Sequence, residues 1–174
     1  TAVEIGAALG ARVIAVARGE DKLAAARAAG AAETIDSAAT DDLRGSLRGL
    51  GGADVGYDAL GDAPGAAAFG ALKPGGRHLL IGFAAGRPPA LPLNHALVKN
   101  ISIHGFYWGG YRRLDPAALQ ASMTELLRMY DAGKLRPTAA AVLPLDRAAD
   151  AYALLRSRKA VGKIILTMTD EAAA

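Results

Sequence analysis

The sequence predicts an α/β fold, an open doubly wound parallel sheet with helices on both faces, and three observations predict it. Strand-like apolar runs alternate with helical stretches along most of the chain, joined by short loops. Two of those runs, His78–Ile81 and Ile101–Tyr107, each end in a glycine followed by an aromatic, Gly82-Phe83 and Gly105-Phe106. A strand ending this way lets a flat ligand approach the backbone while the ring packs on it. The carboxyl tips of successive strands are where an open parallel sheet binds its ligand. Finally, the chain opens inside a helical stretch, TAVEIGAALG, with no strand and no glycine-rich loop before it. Together these describe a Rossmann-like, dinucleotide-binding sheet lacking its first strand and glycine loop.

Each element has a local reason. Val3, Gly6 and Leu9 give the opening helix an apolar stripe, and Gly10 supplies its stop. Arg12–Ala17 is apolar nearly throughout, as a buried parallel strand should be. Glu20 and Asp21 open the next helix, where acids suit the N-terminal dipole, and Gly30 closes it. A short strand follows at Glu33–Asp36. Thr40 is placed to cap a helix carrying Leu43, Leu47 and Leu50 on one face, broken by Gly51-Gly52. Ala53–Ala59 is the next strand, and Pro64–Leu72 a small helix stopped by Lys73-Pro74-Gly75-Gly76. A proline-rich excursion, Arg87–Asn94, shows no helix signal before Ala96. Asp115-Pro116 starts a long helix as N-cap and first-turn proline, with Leu119, Met123, Leu126, Leu127 and Tyr130 along one side, read as core. Beyond Gly133, Thr138–Leu143, a helix capped by Asp146, and Lys163–Met168 form a strand-helix-strand tail, and the residues from Asp170 are expected to fray.

Composition bounds the function. The 174 residues are 52% apolar and 21% charged, ordinary for one globular domain with a real core. Net charge is only +3, and the strongest basic cluster, Arg156-Ser157-Arg158-Lys159, sits at a helix end, so nucleic acid is not an expected partner. There is no cysteine, and the three histidines, His78, His95 and His104, show no ligand spacing, so no metal site is expected. No apolar run approaches the ~20 residues of a membrane span and no signal segment opens the chain, which makes a cytoplasmic setting the expectation.

Arg18 stands one residue past the end of the Arg12–Ala17 strand, near where such a fold holds the adenosine ribose. An acid there binds the NAD diol; an arginine accepts the NADP phosphate. Lys22 lies one helical turn further on, and two cations converging on one phosphate make charge-assisted contacts. Solvated surface charges are the competing reading, and Glu20 or Asp21 could reach a ribose diol instead. Asp58-Ala59-Leu60-Gly61 would lie under the cofactor's middle, with Gly61 either a point of close approach or a turn glycine. Gly82, Phe83 and Ala84 together with Phe106, Tyr107 and Trp108 would flank the nicotinamide end, or else pack against a neighbouring domain. No catalytic acid–base pair or nucleophile emerges; hydride transfer needs none, because the cofactor carries that chemistry.

The segments GARVIAVAR with Lys22, GADVGYDALG, LKPGGR, IGFAAG, LPLN, KNISIHGFYWG and AVGKIIL, in this order, resemble the quinone oxidoreductase (zeta-crystallin-like) branch of the medium-chain dehydrogenase/reductases across essentially the whole chain. The resemblance implies a zinc-independent reductase that uses NADP(H) to transfer hydride to quinones or activated enones. It implies an incomplete nucleotide-binding domain at 1–136 and a segment at 137–174 returning to the catalytic domain. It places cofactor contacts on Arg18, Lys22, Leu60, Gly61, Gly82, Phe83, Ala84, Phe106 to Trp108, and Lys163, whereas Ser37 stands where the family often has tyrosine. The family's first strand, glycine loop and most of its catalytic domain are expected before Thr1, so the chain alone is expected to be inactive. In the strand order 3-2-1-4-5-6 the absent strand is central. Homodimerisation through Ile101–Tyr107 is expected from an uncovered apolar edge. An enoyl-thioester reductase of the same superfamily and a non-catalytic dinucleotide-binding or scaffold protein remain alternatives.

Overall fold

A computed structural model describes residues 1–168; the end expected to fray, 170–174, lies outside the described residues. In chain order the elements are α1 (Ala2–Ala8), β1 (Ile14–Ala17), α2 (Glu20–Ala28), β2 (Glu33–Asp36), α3 (Leu43–Gly49), β3 (Ala53–Asp58), α4 (Asp62–Gly70) and β4 (Leu72–Leu80). They continue with α5 (Leu93–Lys99), β5 (Ser102–Gly105), α6 (Tyr111–Leu114), α7 (Pro116–Asp131), β6 (Ala139–Pro144), α8 (Ala148–Arg156) and β7 (Lys163–Thr167). Strand β1 pairs with β2; β3, β4 and β5 form a parallel three-stranded sheet in that order; β6 pairs in parallel with β7. Among the described residues no ladder joins β1 to β3. The fold is the expected α/β, Rossmann-type one.

The chain divides into two compact units. One is Thr1–Thr34 with the chain from Leu127 onward. Here the Val13 carbonyl accepts from the amides of Ala32 and Glu33, and Arg12 pairs with Glu33 at 3.0 Å. The Glu4 carboxylate accepts the Arg136 amide, and the Arg136 guanidinium lies over the Tyr130 ring. Ala15, Leu23, Met129, Leu135 and Ala151 are its buried apolar residues. The other unit, Ile35–Leu126, is built on the β3-β4-β5 sheet. Its core is Phe69 from α4, Leu72 from β4 and Ile101, with Ala53, Leu91 and Ala96 packed against it. Phe69 is fully buried, a burial that contributes roughly 1.5–3 kcal/mol.

Several expectations are corrected. The strand expected at Arg12–Ala17 is Ile14–Ala17, and the Val13 carbonyl just before it accepts the Ala32 and Glu33 amides where β2 begins. Leu9 is exposed, so the opening helix's stripe does not bury its last member. Asp42, not Thr40, caps α3: its carboxylate accepts the Gly45 amide at 2.7 Å, while the Thr40 hydroxyl accepts from the Asp42 amide. Lys73-Pro74-Gly75-Gly76 does not stop a helix but lies inside β4, since α4 already ends at Gly70. From the pair Ala53↔Leu72 to the pair Val55↔Arg77, β3 advances two residues and β4 five, so the proline sits in a bulge that asks for no ladder donor. The excursion's helix starts at Leu93, directly after Pro92 at its N-cap. The last strand of that sheet is Ser102–Gly105, shorter than Ile101–Tyr107. Asp115 does cap α7, accepting the Ala118 amide at 3.0 Å. The stripe read as core is not buried: Leu119 and Leu126 are half-buried, Met123, Leu127 and Tyr130 are exposed, and the helix's buried residue is Met129, outside the stripe. Periodicity marks a face fit to be covered and does not say what covers it. Asp146 lies within a short 3-10 turn, Leu145–Arg147, so α8 begins after it with Arg147 at its N-cap.

Candidate functional site

The register of the three-stranded sheet builds the candidate site. Asp58, Leu80 and Gly105 are cross-strand partners in one row, so β3, β4 and β5 end at the same level. The chain stays stitched beyond that row: the Asp58 carbonyl accepts the Ile81 amide at 2.8 Å and the Leu80 carbonyl the Phe106 amide at 3.0 Å. Leu60-Gly61, Gly82-Phe83-Ala84 and Phe106-Tyr107-Trp108 therefore all emerge at one edge of one sheet. The Ala84 and Ala85 amides donate back to the Ala59 and Leu60 carbonyls, tying the first two groups together. The Phe106 ring packs on Trp108 and Tyr111 at centroid distances of 6.3 and 5.4 Å. Leu60, Phe83, Phe106, Tyr107 and Trp108 are all exposed, a concentration of apolar surface of the kind that marks a binding face.

The turn from β3 into α4 is held from within. Asp58 is buried, and its Oδ1 accepts the amides of Leu60 at 3.0 Å and Gly61 at 2.8 Å. Gly61 is buried with φ +71, and a Cβ there would stand 2.4 Å from the Arg87 carbonyl oxygen and 2.9 Å from the Phe83 ring. The excursion after β4 thus lies directly on this turn. Asp62, the first residue of α4, takes a left-handed φ of +47; its amide donates to the Arg87 carbonyl, and its carboxylate accepts from the Arg87 guanidinium at 3.3 Å. Behind the turn His78, fully buried in β4, places Nε2 3.4 Å from Asp58 Oδ2, with its ring edge-on to Phe69. That contact is not a closed hydrogen bond: Asp58 Oδ2 and both His78 nitrogens are buried without a hydrogen-bond partner. Each such atom costs about 1–3 kcal/mol. Burial pushes the His78 imidazole below its ordinary value of 6.5, against the opposing pull of the Asp58 charge and contact. Sequence reasoning missed this pair, although the pattern Asp-x-x-Gly after a strand is a signal for such an Asx turn.

Arg18, Lys22 and Lys163 lie in the other unit, and Ser37 in the same unit as the sheet. Arg18 is exposed just past β1, and Lys22 is half-buried in the first turn of α2. Among the described residues neither side chain has an acidic partner, while Glu20, a competitor for a ribose diol, is engaged by Arg27. Lys163 opens β7, exposed, its amide on the Thr138 carbonyl at 3.1 Å. Ser37 follows β2 directly and is half-buried. Among the described residues no group of three histidine, cysteine or acidic side chains could hold a metal ion, and no helix is long and apolar enough to cross a membrane.

A parallel sheet with its strand tips in register and glycine-aromatic ends is the arrangement of a Rossmann-type α/β domain. Residues 1–128 match the family described as zinc-binding dehydrogenase, and the chain belongs to that family. It is 32% identical over 162 residues to quinone oxidoreductase-like protein 2 of Bos taurus, covering 92% of this chain and 46% of that one. It is also 32% identical over 172 residues to an alcohol dehydrogenase of Moraxella, covering 97% and 47%. The quinone oxidoreductase of Thermus thermophilus, solved also with NADPH, superimposes with a TM-score of 0.83 at 29% identity, covering 96% of this chain and 53% of that one. The chain spans about half the length of the curated relatives it matches.

Proposed function

We propose that the chain is the cofactor-binding half of an NADPH-dependent, zinc-independent, cytoplasmic reductase that transfers hydride to quinones or activated enones. The observation that carries the reading is the β1 tip, where Arg18 and Lys22 have no acidic partner among the described residues and Glu20 is drawn off by Arg27. Two cations free of carboxylates fit a ribose phosphate better than a ribose diol. The three-stranded edge fits the rest of a dinucleotide, because its exposed aromatics and hydrogen-bonded strand tips offer apolar surface on one level.

When bound, the cofactor supplies the hydride. Arg18 and Lys22 bind the 2′-phosphate, and Lys163 adds a further cation. Leu60 and Gly61 support the cofactor's middle on a turn whose amides are already committed to Asp58. Gly82, Phe83 and Ala84, with Phe106, Tyr107 and Trp108, orient the nicotinamide and exclude water from it. In this reading residues 1–136 are an incomplete dinucleotide-binding domain and 137–174 return to the catalytic domain, which would cover the exposed α7 face of Met123, Leu127 and Tyr130. The protein works as a homodimer through the Ile101–Tyr107 edge, since β5 is exposed along its length with β4 as its strand partner.

Cofactor titration tests the reading. The complete protein should bind NADPH roughly 10- to 100-fold more tightly than NADH, and Arg18→Ala should remove that preference, the loss of about 1.5–3 kcal/mol expected for a charge-assisted contact. Equal affinities in the wild type overturn the cofactor assignment. Turnover of an enoyl thioester with none of quinones would replace the substrate half of the reading. Ile103→Pro should halve the mass seen by light scattering with circular dichroism unchanged; an intact dimer overturns the edge-strand assignment.

A further inference from the structure

The buried pair behind the β3–α4 turn has no part in the function so far. Asp58 spends one oxygen on the turn: Oδ1 accepts the Leu60 and Gly61 amides at 3.0 and 2.8 Å. Its other oxygen faces inward. Oδ2 stands 3.4 Å from His78 Nε2 and has no closed hydrogen bond, so the carboxylate is pinned on the turn side alone. Two glycines make room for this arrangement. A Cβ at Gly65 would fall 2.2 Å from Oδ2, and one at Gly56 3.1 Å from His78 Nδ1. The pair is therefore walled on the α4 side by Gly65 and Phe69, and on β3 by Gly56, with Ile103 beside His78 on β5. Among the described residues Asp58 is the charged group facing His78.

We propose that His78 is a positioning residue that acts through the Asp58 carboxylate to set the Leu60–Gly61 turn. The inference rests on the reading that this turn meets the cofactor. A neutral imidazole faces Oδ2 at 3.4 Å without closing a hydrogen bond, so the carboxylate stays committed through Oδ1 to the two amides. A fully charged imidazolium competes for the carboxylate's charge and draws it inward, which lengthens the bonds to Leu60 and Gly61. The turn is then tuned by a side chain that touches no ligand. Burial already favours the neutral ring.

The complete protein, labelled at glycine nitrogen and at the histidine rings, provides the test. The Gly61 amide proton should move upfield on acidification with the midpoint of the His78 ring, and this inflection should vanish in His78→Gln. His78→Leu should shift the Gly61 amide at neutral pH and weaken NADPH binding about tenfold, while His78→Gln, which keeps a donor, stays within about threefold. A Gly61 amide that ignores both the His78 titration and His78→Leu overturns the proposal; if His78→Leu does not fold, the wild-type titration decides, or the neutral-pH Gly61 shift in His78→Gln where the ring stays neutral until unfolding. A Gly61 amide that follows His78 while NADPH affinity stays constant in every variant supports the positioning role and overturns the cofactor placement instead.

Discussion

Two strands pass into helices through a glycine N-cap, and the two turns differ in what surrounds them. After β1 and after β3 a glycine serves as helix N-cap in a conformation reserved for glycine, Gly19 at φ 86, ψ 151 and Gly61 at φ 71, ψ −152, and an acid follows each. A Cβ at Gly19 would meet nothing within 4 Å, whereas one at Gly61 would strike the Arg87 carbonyl and the Phe83 ring. The first turn leaves open space at its glycine and carries the exposed Arg18 just before it. The second is closed, with amides, carboxylate and neighbouring loop all committed to one another. A glycine N-cap can thus stand open or be packed shut, and its neighbours decide which.

Alanine at the two glycines breaks the comparison most directly. Both substitutions pay for a glycine-only backbone, about 1–3 kcal/mol, but Gly61→Ala adds a clash with backbone worth about 1–3 kcal/mol more. Urea unfolding should therefore rank Gly61→Ala well below Gly19→Ala; equal losses would mean that the loop at Arg87 yields freely. The open turn should show the reverse asymmetry. Arg18→Ala and Lys22→Ala should each leave stability within about 0.5 kcal/mol of wild type while NADPH binding falls, and a large stability loss would show that these cations hold the fold rather than a ligand. The smallest effect is on pH. His78 binds its proton less readily in the folded than in the unfolded chain, so the stability present above pH 6.5 should be lost as pH falls from 6.5 through its lowered folded value. His78→Gln should flatten that part of the profile, and an unchanged slope would mean that other groups carry it.

The two turns also differ in how far the sequence announced them. Arg18 and Lys22 are legible because charge and spacing past a strand tip are local properties. Gly61 is legible as a turn, but not the reason it must be glycine, since Arg87 and Phe83 arrive from the next connection. The Asp58–His78 pair was hidden for the same reason: it forms only when the register sets Gly56 beside His78, two residues before Asp58 on β3. Thr40 and Asp42 were both plausible caps by composition, and only geometry chose the carboxylate that reaches the Gly45 amide.

By itself the sequence determined the alternation of strands and helices, the glycine stops, the proline-led start of α7 and the cationic tip after β1. These follow from backbone preference and side-chain charge over a few residues. Tertiary structure alone decided the bulge that takes Pro74 into β4, which side of α7 is buried, and the buried pair behind the Gly61 turn. Each of those depends on which distant segment lies alongside, and pairing register is not written in any one segment.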